Sequence, residues 1–428
     1  MDGAAERPVV GLFGAFDTGE VGEMALRRVI ESELGRRRPD IELIVLAPFG
    51  AEHPIPGDEG RPARPLLPGA GADALGLDAL ILTGDVLGDD RSWASRYPVP
   101  DEAMSDRGVG ALVLTGALGG REVAASAIWF AVGLTRGEMD VSGLEGKDVW
   151  ARDLATQERL GGTAAQSGDP VLLAGRVFSP DVLRRRADLL RLCGALPAER
   201  CVVIETGSSL PASSAERLVE ATLSALRSDP KLSVVVVTLD PTRQPPTEAT
   251  FRLPGVMAER VHVLPAWAGL DDIAAAMSGS VAAVATSPPG ANLAASLGVP
   301  VMAITPGAGH RFDPAIPLAG DAASVIRAML GGKHVVDIQT AVQTLDGAFA
   351  ELAQRLPRIG VATRTAAEPD SVVSALAILQ QRLVDERTAL QAELSRVQSE
   401  LDHLQSSPEH RLARPIREGY RRWQRRRT

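Results

Sequence analysis

Cysteine, lysine and aromatic residues are scarce in this sequence of 428 residues, and several motifs are missing from it. The two cysteines, Cys193 and Cys201, are too few for a disulfide framework and are not spaced as a zinc-binding pair. No apolar run approaches the ~18 residues that a membrane-spanning helix requires. The dinucleotide motif G-x-G-x-x-G, the lysine-containing phosphate loop and the G-x-S-x-G elbow do not occur. These absences exclude a disulfide scaffold, a membrane-spanning protein, and nicotinamide, P-loop and α/β-hydrolase enzymes.

The net charge of −9 is unevenly distributed along the chain. Eight arginines between Pro408 and Thr428 stand against only Glu409 and Glu418, so this end carries +6 and the remainder carries −15. An acidic body does not attract nucleic acid through its general field. We therefore expect no nucleic-acid partner, and nothing in the acidic N-terminus predicts export from the cytoplasm.

Short β-branched apolar runs alternate with amphipathic stretches over most of the chain, which is typical of parallel sheets covered by helices. The predicted strands are Pro8–Phe13, Glu42–Ala47, Ala79–Thr83, Ala111–Thr115, Asp148–Ala151, Cys201–Glu205, Ser233–Leu239, Val261–Leu264, Val281–Ala285 and Val299–Ile304. Five strands in each half predict an α/β protein with two facing Rossmann-like domains, residues 1–175 and 176–360. Ligands of such sheets bind outside the carboxyl ends of the strands, so we expect the site there.

A change of period follows the linker 361–371 and predicts a coiled coil over residues 372–405. With Val373 at heptad position a, the d positions are Leu376, Leu383, Leu390, Val397 and Leu404. The pattern predicts a homo-oligomer of low order, because Gln380 and Arg387 weaken the first a positions. The alternative is a single helix that packs back on the body.

The basic tail, residues 406–428, has an apolar stripe along one side of a helix. Leu412, Ile416 and Tyr420 recur every four residues, and Trp423 follows as an aromatic anchor among the arginines. This pattern predicts a helix that lies on an anionic membrane surface, where each arginine contributes about 1 kcal/mol of attraction. The predicted location is cytoplasmic, peripheral at the inner face of the cell membrane. A disordered solubilising tail, or one bound to nucleic acid, is the alternative.

The N-terminal run GLFGAFDTGEVGEMALRRVIESEL joins a strand, a glycine turn and a helix. It resembles the first strand and G-x-x-G-x-x-N-x-G-D-type turn of the polysaccharide pyruvyl transferase family. Gly11, Gly14 and Gly19 match this pattern, whereas Asp17 stands where the family has Asn and Glu20 where it has Asp.

Three later segments are similar to the same family and occur in its order. LDALILTGDVLGDD keeps Gly84 and Gly88 of a glycine-rich strand end, and KDVWARDLATQERL carries Arg152 and Thr156 of a V-R-D-x-x-S element. VAAVATSPPGANLAASLGVPVMAI resembles the late strand, turn, helix and G-V-P-V strand of the second domain. The resemblance extends from residue 8 to about residue 330.

The resemblance implies a fold of the glycosyltransferase B type and transfer of a pyruvyl group from phosphoenolpyruvate to a sugar of a cell-surface polysaccharide or its lipid-linked precursor. The donor is a substrate, the partner is a sugar acceptor, and no cofactor is implied. Such chemistry needs cations or helix N-termini for the phosphate and carboxylate, and a general acid or base for the hydroxyl.

The family carries an Arg and a His after its late second-domain strand, and this chain has Thr286–Gly290 there instead. We expect His310 and Arg311, on the loop after the next strand, to replace that pair, with His310 and Arg152 as the catalytic candidates. A solvated His310, and an Arg152 paired structurally with Asp153 or Glu158, are the alternatives. The substrate-binding candidates are Arg311, Gly14, Asp17, Gly84, Thr206, Gly207, Ser208, Ser287, Gly290 and Asn292.

Other residue patterns have simpler interpretations. The turn that contains Thr206, Gly207 and Ser208 is either an anion cradle of backbone N–H groups or an ordinary loop before a capped helix. The pair Asp271–Asp272 opens a helix and is explained by capping and the helix dipole, so we expect no metal site.

Two other functions compete with pyruvyl transfer. One is a catalytically degenerate scaffold that recruits polysaccharide enzymes at the membrane, since the family's His is missing from its expected position. The other is a nucleotide-sugar glycosyltransferase of the same fold.

Overall fold

The structure is a computed structural model that describes residues 7–48, 63–65, 76–84, 127–133, 148–162, 164–197, 200–206, 212–239, 259–265, 268–304, 312–319, 324–325 and 336–358. The chain divides into one compact unit, Met1–Ala367, and another, Glu368–Thr428. The predicted coiled coil and basic tail belong to the latter and lie outside the described residues, as does the predicted strand Ala111–Thr115.

The first sheet contains seven described strands, all parallel, in the order β3-β2-β1-β4-β5-β6-β7. They are β1 (Val9–Phe13), β2 (Glu42–Ala47), β3 (Arg64–Pro65), β4 (Ala79–Gly84), β5 (Ile128–Val132), β6 (Val149–Ala151) and β7 (Ala165–Gln166). All residues of the central strands β1, β4 and β5 are buried, which explains why these strands are continuous apolar runs rather than alternating ones.

The second sheet contains five described strands, also parallel, in the order β10-β9-β8-β11-β12. They are β8 (Cys201–Thr206), β9 (Ser233–Thr238), β10 (Val261–Val263), β11 (Ala282–Ala285) and β12 (Val301–Ala303). The strand order reverses between β8 and β11. In open α/β sheets, the carboxyl ends beside such a reversal form the ligand crevice.

Helices connect and cover the strands. They are α1 (Val21–Arg37), α2 (Leu154–Arg159), α3 (Ala174–Val177), α4 (Pro180–Leu192), α5 (Ala212–Ser228), α6 (Leu270–Ser278), α7 (Pro288–Ser296) and α8 (Gln339–Arg355), with a 3-10 turn at Pro170–Leu173. Helix α1 lies at the centre, because it contacts the connecting turn, α3, α6, α7 and α8. One continuous apolar core extends from the first sheet through α1 to the second sheet.

Helix α8 packs against the first sheet, although it follows the second sheet in the chain. The Phe349 ring centroid lies 4.8 Å from that of Phe130 in β5, and the Arg355 guanidinium lies 4.7 Å from the Trp150 ring centroid in β6. Arg38 at the end of α1 donates hydrogen bonds to the Ala353 and Leu356 carbonyls. The helix lies within the predicted domain 176–360 in the sequence, but these contacts place it against the first sheet.

The sequence predictions of secondary structure are largely confirmed. Nine of the ten predicted strands lie in described residues, and each forms a strand with ends within two residues of the prediction. The structure adds β5, which the prediction missed, and the two-residue strands β3 and β7. The predicted two-sheet α/β fold is therefore correct. Within the described residues no helix is long and apolar enough to cross a membrane.

An ion pair between α1 and α6 joins the two sheet-bearing halves. Arg28 donates to both carboxylate oxygens of Asp271 on α6, at 2.7 and 3.0 Å. The two side chains are 13% and 17% exposed, and the guanidinium lies 5.7 Å from the Phe178 ring centroid. The predicted capping role of the acidic pair is confirmed for Asp272, which accepts from the Gly269 N–H at 3.3 Å, whereas Asp271 serves this contact between the halves.

We expect the Arg28→Ala variant to lose about 2–3 kcal/mol of unfolding free energy, because a partly buried carboxylate is left without its cation. Urea unfolding of wild type, Arg28→Ala, Asp271→Ala and the double variant gives the coupling energy of the pair. Arg200→Ala is the matched control, since the Arg200–Asp229 pair lies within the second half and Arg200 is 38% exposed. A coupling energy no larger than that of an exposed pair would contradict this role for Arg28.

Candidate functional site

The turn after β1 forms the first part of the site. A Cβ atom at Gly14 would lie 2.5 Å from the Phe16 ring, which is buried, so only glycine fits under this ring. The Thr18 hydroxyl donates to the Ala15 carbonyl at 2.8 Å and accepts from the Glu20 N–H at 3.3 Å. These contacts set the direction in which the chain enters α1.

Carboxylates surround the N-terminus of α1. Asp17 and Glu20 are half-buried in the turn, and Glu23 is buried in the first turn of the helix. Gly84, at the end of β4, has φ +73°, and a Cβ atom there would lie 2.5 Å from the Glu23 carboxylate. Carboxylates here favour the helix dipole but repel an anionic ligand.

Strand β5 has a bulge at its carboxyl end. Its register shifts against both β4 and β6, and Ala131 adopts φ +52°, a backbone conformation that residues other than glycine rarely take. The bulge turns the Val132 carbonyl toward the Arg152 N–H, which donates to it at 2.9 Å. The Arg152 side chain is half-buried and has an interaction partner within the protein.

Glu205, at the end of β8, is fully buried, and its carboxylate lies against the turn that precedes α7. One carboxylate oxygen accepts from the Thr286 and Ser287 N–H groups at 2.9 and 3.0 Å, and the other accepts from the Ser287 hydroxyl at 3.0 Å. Burial raises the pKa of Glu205 from 4.5 to about 7, and the hydrogen bonds from Thr286 and Ser287 oppose this rise. The carboxyl group therefore changes its charge near neutral pH.

Each N–H group at the start of α7 either donates a hydrogen bond within the protein or is absent because the residue is proline. Those of Thr286 and Ser287 bind Glu205, Pro288 and Pro289 have none, and that of Gly290 donates to the Ser287 hydroxyl at 3.2 Å. A Cβ atom at Gly290 would lie 2.6 Å from the Glu205 carboxylate. This helix end therefore offers no anion seat, although helix N-termini commonly provide one.

The carboxyl ends of the two sheets meet directly. The Val21 N–H, the first of α1, donates to the Leu239 carbonyl after β9 at 2.8 Å. A Cβ atom at Gly22 would lie 2.9 Å from the Pro289 ring, so α1 and α7 touch at their N-terminal ends. The site is the junction of these two helix ends.

The predicted site residues fall into three groups. Gly14, Asp17 and Gly84 lie around the start of α1. Ser287 and Gly290 contact Glu205, and Thr206 follows Glu205 in β8. Arg152 lies two strands away from β4, at the end of β6. Asn292 is instead directed to the connection between the halves, where its amide nitrogen donates to the buried Asp169 carboxylate at 2.9 Å. His310, Arg311, Gly207 and Ser208 lie outside the described residues.

The sequence interpretation named neither Glu23 nor Glu205 as a candidate. For Glu205 the available signal was a carboxylate at the end of the apolar run CVVIET, where a charge has to find donors once the sheet is packed. No group of three or more metal-binding side chains forms in the described part of the chain.

A cavity of about 370 Å³ lies elsewhere, beside α4. Its lining includes Phe178, Leu183, Gly279 and Leu297, which places it at the C-terminal ends of α6 and α7. It is therefore at the opposite end of α7 from Glu205 and is not part of the candidate site.

Two parallel-sheet domains that meet at their carboxyl ends define the glycosyltransferase B class of fold. The structure of UDP-N-acetylglucosamine 2-epimerase from Rickettsia bellii is similar, with a TM-score of 0.52 and 12% identity, over 82% of this chain and 96% of the other. UDP-GlcNAc 2-epimerase from Neisseria meningitidis has a TM-score of 0.45 and 13% identity, over 86% of this chain and 99% of the other. E. coli ADP-heptose LPS heptosyltransferase II has a TM-score of 0.41 and 11% identity, over 81% of this chain and 99% of the other. The similarity to the Rickettsia bellii structure supports the fold alone, because the sequence identity is only 12%. No family model and no curated protein matches the sequence.

Proposed function

We propose that this protein acts in sugar transfer and that its donor is a nucleotide-linked sugar bound between the carboxyl ends of the two sheets. The fold supports this proposal, because ligands of open parallel sheets bind at that edge. The similar Rickettsia bellii structure is that of an enzyme for a UDP-linked sugar, which suggests the class of donor.

The observation that carries the proposal is the set of carboxylates at the junction. Asp17, Glu20 and Glu23 surround the start of α1. Carboxylates accept hydrogen bonds, and sugar hydroxyls can donate them. Phosphoenolpyruvate instead brings a phosphate of about −1.5 to −2 and a carboxylate on a small molecule, and both would be repelled here. A nucleotide-linked sugar has its charge on the diphosphate alone, while its sugar and ribose carry hydroxyls.

The diphosphate of such a donor needs an anion seat other than the closed end of α7. Residues 206–211 connect β8 to α5, and the sequence leaves two interpretations of this segment open, a cradle of backbone N–H groups or an ordinary loop before a capped helix. We propose the cradle as the seat of the phosphates, and the carboxylates near α1 as the contacts of the sugar.

A non-catalytic scaffold is the second candidate, and two observations favour it. The N–H groups that begin α7 are taken up internally, and the Val21–Leu239 hydrogen bond joins the halves across the site. Pyruvyl transfer rests on the four sequence segments described above.

A turnover assay separates these functions. The full chain is incubated with UDP-, GDP- and ADP-linked sugars, and separately with phosphoenolpyruvate, each together with lipid-linked or nucleotide-linked sugar acceptors. We expect acceptor-dependent release of nucleoside diphosphate from one nucleotide-linked donor, and loss of this activity in Glu23→Gln. Asp40→Asn, at the far end of α1, is the control that should keep it. Acceptor-dependent phosphate release from phosphoenolpyruvate alone would replace the proposal with pyruvyl transfer, and no turnover of any donor would favour the scaffold.

A further inference from the structure

Helix α4 presents an apolar stripe on its exposed side. Leu183, Ala187 and Leu190 form its buried side, whereas Leu189 and Leu192 are 60% and 84% exposed. Val182, seven residues before Leu189, is 50% exposed, so three of the five large exposed hydrophobic residues in the described part of the chain lie on this helix. Spacings of seven and three residues are those of a coiled-coil seam, whereas isolated exposed leucines are common on any surface.

Charged residues of alternating sign flank this stripe. Asp181, Arg184, Asp188 and Arg191 recur every three or four residues on one side of it. Arg184 contacts Asp181, and Arg191 donates to Asp188 at 2.8 Å, within the same helix. If the helix is reversed end to end about residue 186, each acidic residue takes the position of an arginine and each arginine takes the position of an acidic residue.

We propose that α4 pairs in antiparallel orientation with α4 of a second copy of this chain. Reversal about residue 186 sets Asp181 opposite Arg191 of the second copy, and Arg184 opposite its Asp188. The same reversal sets Val182 between Leu189 and Leu192 of the second copy. In a parallel two-fold pair these charges, which all lie on one side of the stripe, would lie on opposite sides of the seam and would not meet.

Arg185 lies within the stripe and is exposed. Its aliphatic stem can cover apolar surface while its guanidinium reaches Asp188 of the second copy, so its charge has a partner in this arrangement. The arrangement is isologous, since both helices contribute the same surface, and it closes as a dimer.

One helix of this length supplies less than the ~800 Å² per partner of a typical stable interface. We therefore expect the α4 contact to form within an oligomer that the predicted coiled coil already holds together, because tethering raises the effective concentration. The pairing surface lies on α4 alone, its stability depends on the predicted coiled coil, and the inference is independent of the proposed function.

Cross-linking of the full chain tests the pairing. In a Cys193→Ser background, the Arg185→Cys variant places a thiol near the two-fold axis, within reach of a bis-maleimide suited to helix axes about 8–10 Å apart. We expect covalent dimer as the main product, and little from Glu216→Cys, an exposed position on α5 used as the matched control. Equal yields at both positions, or none at Arg185→Cys, would overturn the proposal.

Two further variants test the orientation. In the wild-type chain Cys193 is exposed, and antiparallel pairing puts the two copies of it about 20 Å apart, so we expect no cross-link with the same reagent. Efficient cross-linking there would show a parallel pair and contradict the inference. Adding Asp181→Arg to the Arg185→Cys variant should lower the dimer yield about three-fold, and adding Arg191→Asp as well should restore it. A yield that stays low in the doubly reversed variant would also count against it.

Discussion

The Gly175→Ala variant is expected to unfold about 3 kcal/mol more easily than wild type, or to fail to fold. Gly175 lies in α3, in the connection between the two halves, and the added Cβ atom would lie 2.2 Å from the Ser296 carbonyl oxygen of α7. The obstacle is backbone at the end of a helix, so α3 and α7 have to move apart. The melting temperature and the urea midpoint measure the loss.

Gly347→Ala is the matched control for this prediction. Gly347 is an exposed residue in the middle of α8, and a Cβ atom there would meet nothing within 4 Å. Alanine should stabilise the helix by about 0.5–1 kcal/mol, because glycine loses more backbone entropy on folding. If Gly175→Ala behaves like Gly347→Ala, the close approach of α3 to α7 is wrong.

Glu205 is expected to make the stability of the wild type fall as the pH rises from about 4.5 to about 7. In this range the folded protein holds a proton that the unfolded chain has already lost, so the folded state becomes relatively less stable. Above this range both states are ionised, and below it both are protonated. A shift of this size corresponds to about 3 kcal/mol of unfolding free energy. Glu205→Gln should abolish this contribution, because the amide oxygen can still accept the Thr286 and Ser287 N–H groups without becoming charged.

Urea unfolding at pH 5 and pH 8 measures the effect as a difference between wild type and Glu205→Gln. Asp346→Asn is the control, since Arg176 holds the pKa of Asp346 below its usual value and this carboxyl is ionised at both pH values. Its substitution should change the unfolding free energy equally at the two pH values. Parallel pH dependences for wild type and Glu205→Gln would show that Glu205 is not held as a buried carboxyl group.

The two parallel sheets could be predicted because buried parallel strands are continuous apolar runs that sequence shows directly. Strand β5, the short run IWFAV, was missed, and its bulge at Ala131 depends on pairing with β4 and β6, which the sequence does not show. The packing of α8 on the first sheet could not be predicted either. Its amphipathic pattern shows that one side is buried, but not that Phe349 lies against Phe130.

The sequence predicted where Ser287 and Gly290 lie in the fold but not the contacts that they make. The sequence placed Ser287 and Gly290 at the carboxyl edge of the second sheet, where they lie. It could not show that Glu205, more than eighty residues earlier, uses the donors of that turn, because the contact exists only after β8 and β11 pair. The two prolines of α7 were visible, and their missing N–H groups could have signalled a poor anion seat.

Calorimetric titration of the full chain with UDP-, GDP- and ADP-linked sugars, and with phosphoenolpyruvate, tests most directly whether the junction of the two sheets takes a nucleotide-linked sugar. We expect saturable binding of one nucleotide-linked sugar with a Kd between about 1 μM and 1 mM, as for typical substrates, and no heat from phosphoenolpyruvate. In Glu23→Gln this binding should weaken at least ten-fold. Binding of phosphoenolpyruvate without any nucleotide-linked sugar, or of no donor at all, would contradict this expectation.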